Sequence, residues 1–67
     1  MKIYGYKKNG EELLDMNEIT FQFSSANLRK LSEFLNKCAN EIDNEADWEH
    51  EHLETSEEEP RIIVFKE

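Results

Sequence analysis

Cysteine is almost missing from this sequence. Cys38 is the only one, so no disulfide can close within the chain and no cysteine pair is available for structural zinc. Proline occurs once and glycine twice, which leaves no Gly-rich loop to cradle a phosphate. No apolar run approaches the ~20 residues needed to span a bilayer, so the membrane is not an expected partner. Met1-Lys2-Ile3 leads into strand-forming residues rather than into a charged-then-apolar leader. A cytoplasmic location is therefore expected, and the lone thiol agrees with it.

Basic residues are missing from one long stretch. Residues 41–60 hold ten acids and no Lys or Arg, while residues 1–17, 18–40 and 61–67 sum to 0, +1 and +1. The net charge of −8 thus comes from a single segment. Such a surface repels phosphate backbones, so nucleic acid is not an expected partner. It attracts a basic protein surface and speeds that encounter at low salt. The plainer use of the same acids is a solvated loop that maintains solubility.

At 67 residues the chain makes one domain, residues 1–67. A domain of this size buries only about 60% of what its unfolded chain exposes. Oligomerisation is the common supplement where disulfides and metals are not available.

Lys2 to Lys7 is rich in β-formers, and Lys8-Asn9-Gly10-Glu11 carries the Asn-Gly signal of a tight turn. Glu12 to Asp15 is ambiguous, with Leu13 and Leu14 able to extend a second arm. Glu18 to Phe23 alternates cleanly, with Ile19, Phe21 and Phe23 on one face, and is the expected second strand. Ser24 suits a helix N-cap, with Phe23 and Leu28 placed as a hydrophobic staple. Leu28, Leu31, Leu35, Cys38 and Ile42 then recur at three- and four-residue steps, with Phe34 at the edge of the stripe. This spacing predicts a core-facing helix from about Ser25 to about Ile42. Trp48 to Glu54 reads as a third strand. Thr55 to Pro60 reads as a loop of mutually repelling carboxylates. Arg61 to Lys66 has four consecutive apolar residues and reads as an inner strand.

The expected fold is α+β, in the order ββαββ, with one helix packed on one face of a mostly antiparallel four-stranded sheet. Ile3, Ile19, Phe21, Phe23, Ile62 and Val64 are candidates for the covered face. Tyr4, Tyr6, Ile63, Phe65 and Trp48 are candidates for the other. An apolar patch of that kind on a small protein points to a partner or a homodimer.

The chemically suggestive stretch is W-E-H-E-H-L-E, Trp48 to Glu54, which contains both histidines, His50 and His52. As a strand it puts Trp48, His50, His52 and Glu54 on one face. A His-x-His pair is half of a metal site, and Glu54, Glu49 and Asp47 are the nearby carboxylates. A third His or second Cys is lacking, so His50 and His52 are weak metal candidates and no cofactor is expected. Imidazoles among carboxylates also resemble acid–base machinery. However, no nucleophile motif accompanies them, and Cys38 lies on the helix stripe, so an enzyme is not expected. The reading that uses most of the features is a partner-binding surface. Trp48, His50, His52 and Glu54 would form its contact stripe, and Glu57, Glu58 and Glu59 a steering rim.

E-I-T-F at Glu18, S-S-A-N-L-R-K-L-S-E-F-L-N-K-C-A at Ser24, H-E-H-L at His50 and P-R-I-I-V-F at Pro60 together carry a family resemblance. Over residues 18–66 the chain resembles the predicted immunity proteins of bacterial polymorphic-toxin systems, the immunity family numbered thirty-two. Arg61 departs from that pattern, which more often has Asp. The resemblance implies a non-enzymatic protein that binds a cognate toxin stoichiometrically and neutralises it, with no cofactor. The alternatives from the residues alone are a small metal-binding protein using His50 and His52, or a homodimeric accessory domain.

Overall fold

The turn at Lys7–Gly10 organises the N-terminal end. Gly10 N–H donates to Lys7 O at 2.9 Å, and Asn9 takes φ 59°. Positive φ at the third turn position is the type II pattern, and Asn tolerates it through its short polar side chain. Gly10 itself has ordinary φ. It is needed for space, because a Cβ there would lie 2.8 Å from Lys7 Cγ and 3.0 Å from Lys7 O. The turn brings β1 (Tyr4–Gly5) against β2 (Leu14–Asp15) as an antiparallel pair, Tyr4 opposite Asp15 and Gly5 opposite Leu14. Met16 N–H extends the ladder to Ile3 O at 2.7 Å.

The computed structural model describes residues 1–67. After β2 the chain runs without regular structure to Ser24 and enters the only helix, α1 (Ser25–Asn44). Ser24 is extended, with φ −68° and ψ 162°, and its side chain accepts from Asn27 N–H at 3.2 Å. This satisfies one of the donors that a helix start leaves open. At the far end Glu45 N–H still bonds Glu41 O, and Asn44 Nδ2 donates to Asn40 O at 2.7 Å. These two bonds carry the helix two residues past Ile42. They act against the dipole, since the last turn has no base and carries Glu41 and Asp43.

A turn closed by Trp48 N–H to Glu45 O, 3.2 Å, leads to β3 (His50–His52), which pairs antiparallel with β4 (Ile63–Phe65). His50 faces Phe65, Glu51 faces Val64 and His52 faces Ile63. Lys66 N–H to Glu49 O and Leu53 N–H to Ile62 O lengthen the ladder by one residue at each end.

The core is small. Leu31, Phe34, Cys38 and Trp48 are buried, and Phe23, Ile42, Leu53, Ile62 and Val64 pack around them. The burial centre of α1 lies at Phe34 and Cys38. Leu28 and Leu35, on one flank of the expected stripe, are exposed.

The expected four-stranded sheet does not form. The chain has one helix and two separate two-stranded antiparallel sheets, β1–β2 and β3–β4, within an α+β architecture. The second strand is the ambiguous Leu14–Asp15 and not Glu18–Phe23. The hairpin turn presents the nearer stretch to β1 first, which leaves the cleanly alternating segment unpaired. Without a strand beside it, Ile19 and Phe21 stay exposed and only Phe23 reaches the core. Ile3 is half-buried but takes no part in the core. β4 is likewise not an inner strand: β3 is its only neighbour, and Ile63 and Phe65 are exposed.

Candidate recognition surface

The two faces of the β3–β4 sheet differ sharply. Glu51, Leu53, Ile62 and Val64 are half-buried, and all but Glu51 pack on the core. His50, His52, Ile63 and Phe65 point away and are exposed. In an antiparallel ladder the narrow bonded pairs alternate with wide ones. Lys66–Glu49 and Leu53–Ile62 are bonded, so Glu51–Val64 is the bonded pair between them. His50–Phe65 is then a non-bonded pair, where side chains approach most closely. The His50 and Phe65 rings stack at 4.7 Å and 17°. The His50 and His52 rings meet edge-on at 5.3 Å and 67°. Phe65 keeps 63% of its surface exposed despite the stack. The three rings form an aromatic strip over an open sheet face.

Trp48 is not part of that strip. It is 9% exposed and belongs to the core, with Nε1 donating to Glu41 Oε1 at 2.9 Å. The strand does not extend back to Trp48, because the Glu45–Trp48 turn breaks the alternation that would have placed Trp48 beside His50. Phe65 and Ile63 take its place on the face. Their signal lay in the β4 run itself, but pairing them with the histidines required the register.

Glu54 lies just past β3, and its carbonyl accepts from Lys30 Nζ at 2.6 Å, which ties the start of the acidic loop to α1. Glu57, Glu58 and Glu59 follow on the exposed loop, with Glu59 N–H bonded to Ser56 O at 3.1 Å. A depression of about 630 Å³ lies along this loop, and its lining includes His52, Glu54, Glu57, Glu59 and Arg61, with Leu53 as the one hydrophobic residue. The loop therefore adjoins the aromatic strip through His52.

His50 Nδ1 lies 3.2 Å from Glu49 Oε1, a same-strand contact in which the carboxylate orients the ring. Glu51 turns its Oε1 to His52 N–H at 3.2 Å. No group of three or more His, Cys, Asp or Glu side chains is arranged to hold a metal ion. His50 and His52 remain a two-ligand pair, which is one or two short of a protein zinc site.

Cys38 is 2% exposed. Burial pushes its thiol above the ordinary value of 9.0, Glu41 and Glu51 add to the rise, and Lys37 opposes it. A nucleophilic cysteine needs the opposite environment. No helix is long and apolar enough to cross a membrane.

Comparisons of the chain with protein-family models, with curated proteins and with solved structures return no match.

Proposed function

We propose that this chain is a non-enzymatic protein-binding module: a cytoplasmic immunity protein that binds and neutralises a cognate bacterial toxin with a basic surface. The observation that carries this reading is the exposed His50–Phe65 stack beside the segment that holds all the net charge. Aromatic side chains on a rigid sheet supply contact area at small entropic cost. The acids around them steer a cation-rich partner and exclude a polyanion. The residues quoted for the immunity family support the choice of a toxin as partner. The contact residues are His50, His52, Ile63 and Phe65, with Glu54, Glu57, Glu58 and Glu59 as the steering rim.

The test is complex formation with the product of the adjacent gene. A stoichiometric complex whose association rate falls about tenfold at low salt when Glu57, Glu58 and Glu59 are changed to Lys supports the reading. A complex whose kinetics ignore that change removes the steering role. Failure to bind a toxin encoded next to the gene removes the function.

A second reading uses the 5.3 Å approach of the two imidazoles. In it His50 and His52 capture zinc or nickel, with a partner completing the ligand set.

A further inference from the structure

The chain exposes too much surface for its mass. At 8.0 kDa a folded monomer has about 4,500 Å² of accessible surface, and this one has 6424 Å². Its radius of gyration is 13.0 Å, against about 11 Å for a compact chain of this length. The excess of about 2,000 Å² is more than the ~800 Å² that each partner gives to a standard interface. The β3–β4 sheet is covered on one face only, where Leu53, Ile62 and Val64 meet the core.

The open edge of β4 is a place where a further strand fits. Because Glu51–Val64 is the bonded pair, the N–H and C=O groups of Ile63 and Phe65 point away from β3. No other strand pairs with that edge, so it is a template for strand addition. The opposite edge is blunted, since Glu51 Oε1 takes the outward N–H of His52.

We infer that β4 pairs antiparallel with β4 of a second copy about a two-fold axis at Val64, giving one four-stranded sheet in the order β3-β4-β4-β3. This register is self-complementary. Ile63 exchanges both backbone bonds with Phe65 of the second copy, and Phe65 with Ile63 of the second copy, so every outward group in the centre is satisfied. It also sets Arg61 opposite Glu67 of the second copy, on the same face as Ile63 and Phe65. Two symmetry-equivalent Arg–Glu ion pairs thus fix the register, in a chain that has eight more acids than bases. The interface is isologous and closed, so the β4 edge is used up within the pair of copies. The two aromatic strips then become one face across four strands.

Sedimentation over a concentration series, combined with amide hydrogen exchange, tests this. Wild-type protein is expected to sediment at twice the 8.0 kDa chain mass, with Ile63 and Phe65 amides protected only where dimer is present. Ile63→Pro deletes an outward N–H and leaves the β3 ladder intact, so the dimer is expected to weaken at least tenfold. Arg61→Glu and Glu67→Arg should each weaken it, and the double exchange should restore it. Both residues are exposed, so these variants fold if Ile63→Pro does not. A monomer at millimolar concentration overturns the inference. Protected Ile63 and Phe65 amides in such a monomer would give the edge to the chain's own Glu18–Phe23 segment. A dimer indifferent to all the substitutions also overturns it.

Discussion

Trp48 and Glu41 are joined across the turn that ends α1: the indole N–H donates to the carboxylate at 2.9 Å. The bond satisfies a polar group that burial in the core would otherwise leave without a partner. The other carboxylate oxygen of Glu41 lies 3.9 Å from Lys37 Nζ. Glu41→Ala should therefore cost about 1–3 kcal/mol, as expected when a buried donor is orphaned. Glu41→Gln keeps an acceptor and should cost less than about 1 kcal/mol. Urea unfolding followed by the fluorescence of the single tryptophan measures both. Equal losses for the two variants would show that the bond is not what matters at Glu41.

The first hairpin should respond to substitution without moving the core. Gly10→Ala forces a Cβ into Lys7, and Asn9→Ala places a residue at positive φ at a cost of about 1–2 kcal/mol. Asn9→Gly should be tolerated. No residue of β1 or β2 belongs to the core cluster. Faster amide exchange at Gly10 and Met16, with an unchanged tryptophan unfolding midpoint, is the expected result. A shifted midpoint would show that hairpin and core unfold together.

Cys38 should resist alkylation in the native protein and react fully when unfolded, since its thiol is buried and its pKa is raised. The sign of the linkage follows. A group whose pKa is higher folded than unfolded contributes stability that is whole below the unfolded value. That contribution is lost as pH rises through the folded value. Stability should therefore decline above pH 9.0, and Cys38→Ala should remove that part of the decline. Denaturant titrations at a series of pH values on either side of 9.0 check it.

The aromatic strip should be separable from the fold. Phe65→Ala and His52→Ala alter exposed side chains, so stability should change by no more than about 0.5 kcal/mol. Loss of binding to the proposed protein partner, with the fold intact, is the expected outcome. Calorimetry with zinc distinguishes the rival use of the same residues. Micromolar binding abolished by His50→Ala would favour the metal, and an absence of heat would leave the strip to a protein.

Much of the local structure was legible because it is set by neighbours in sequence. Ser24 as cap follows from the residues beside it. The Asn-Gly signal marks a turn, but the turn closes over Lys7–Gly10, one residue before the expected Lys8–Glu11, with positive φ at Asn9 alone. The helix stripe holds at Leu31 and Cys38, while Phe34 replaces the exposed Leu28 and Leu35 in the core. The misreadings are non-local. Alternation over Glu18–Phe23 specifies a face but not a partner strand, and β1 pairs instead with Leu14–Asp15. At Trp48 the Glu45–Trp48 turn breaks the strand parity, so its side chain enters the core while His50 and His52 face outward. The acidic loop was legible from charge alone. The stack of His50 on Phe65 was not, since fifteen positions separate them and only the ladder register brings them together.

The placement of the first hairpin outside the core has an evolutionary consequence. Substitutions there are not filtered by packing around Trp48, so residues 1–17 can diverge while the segment from Phe23 to Lys66 stays recognisable. Relatives should therefore differ most at their amino-terminal ends. Changes can accumulate there without disturbing the helix or the paired strands behind it.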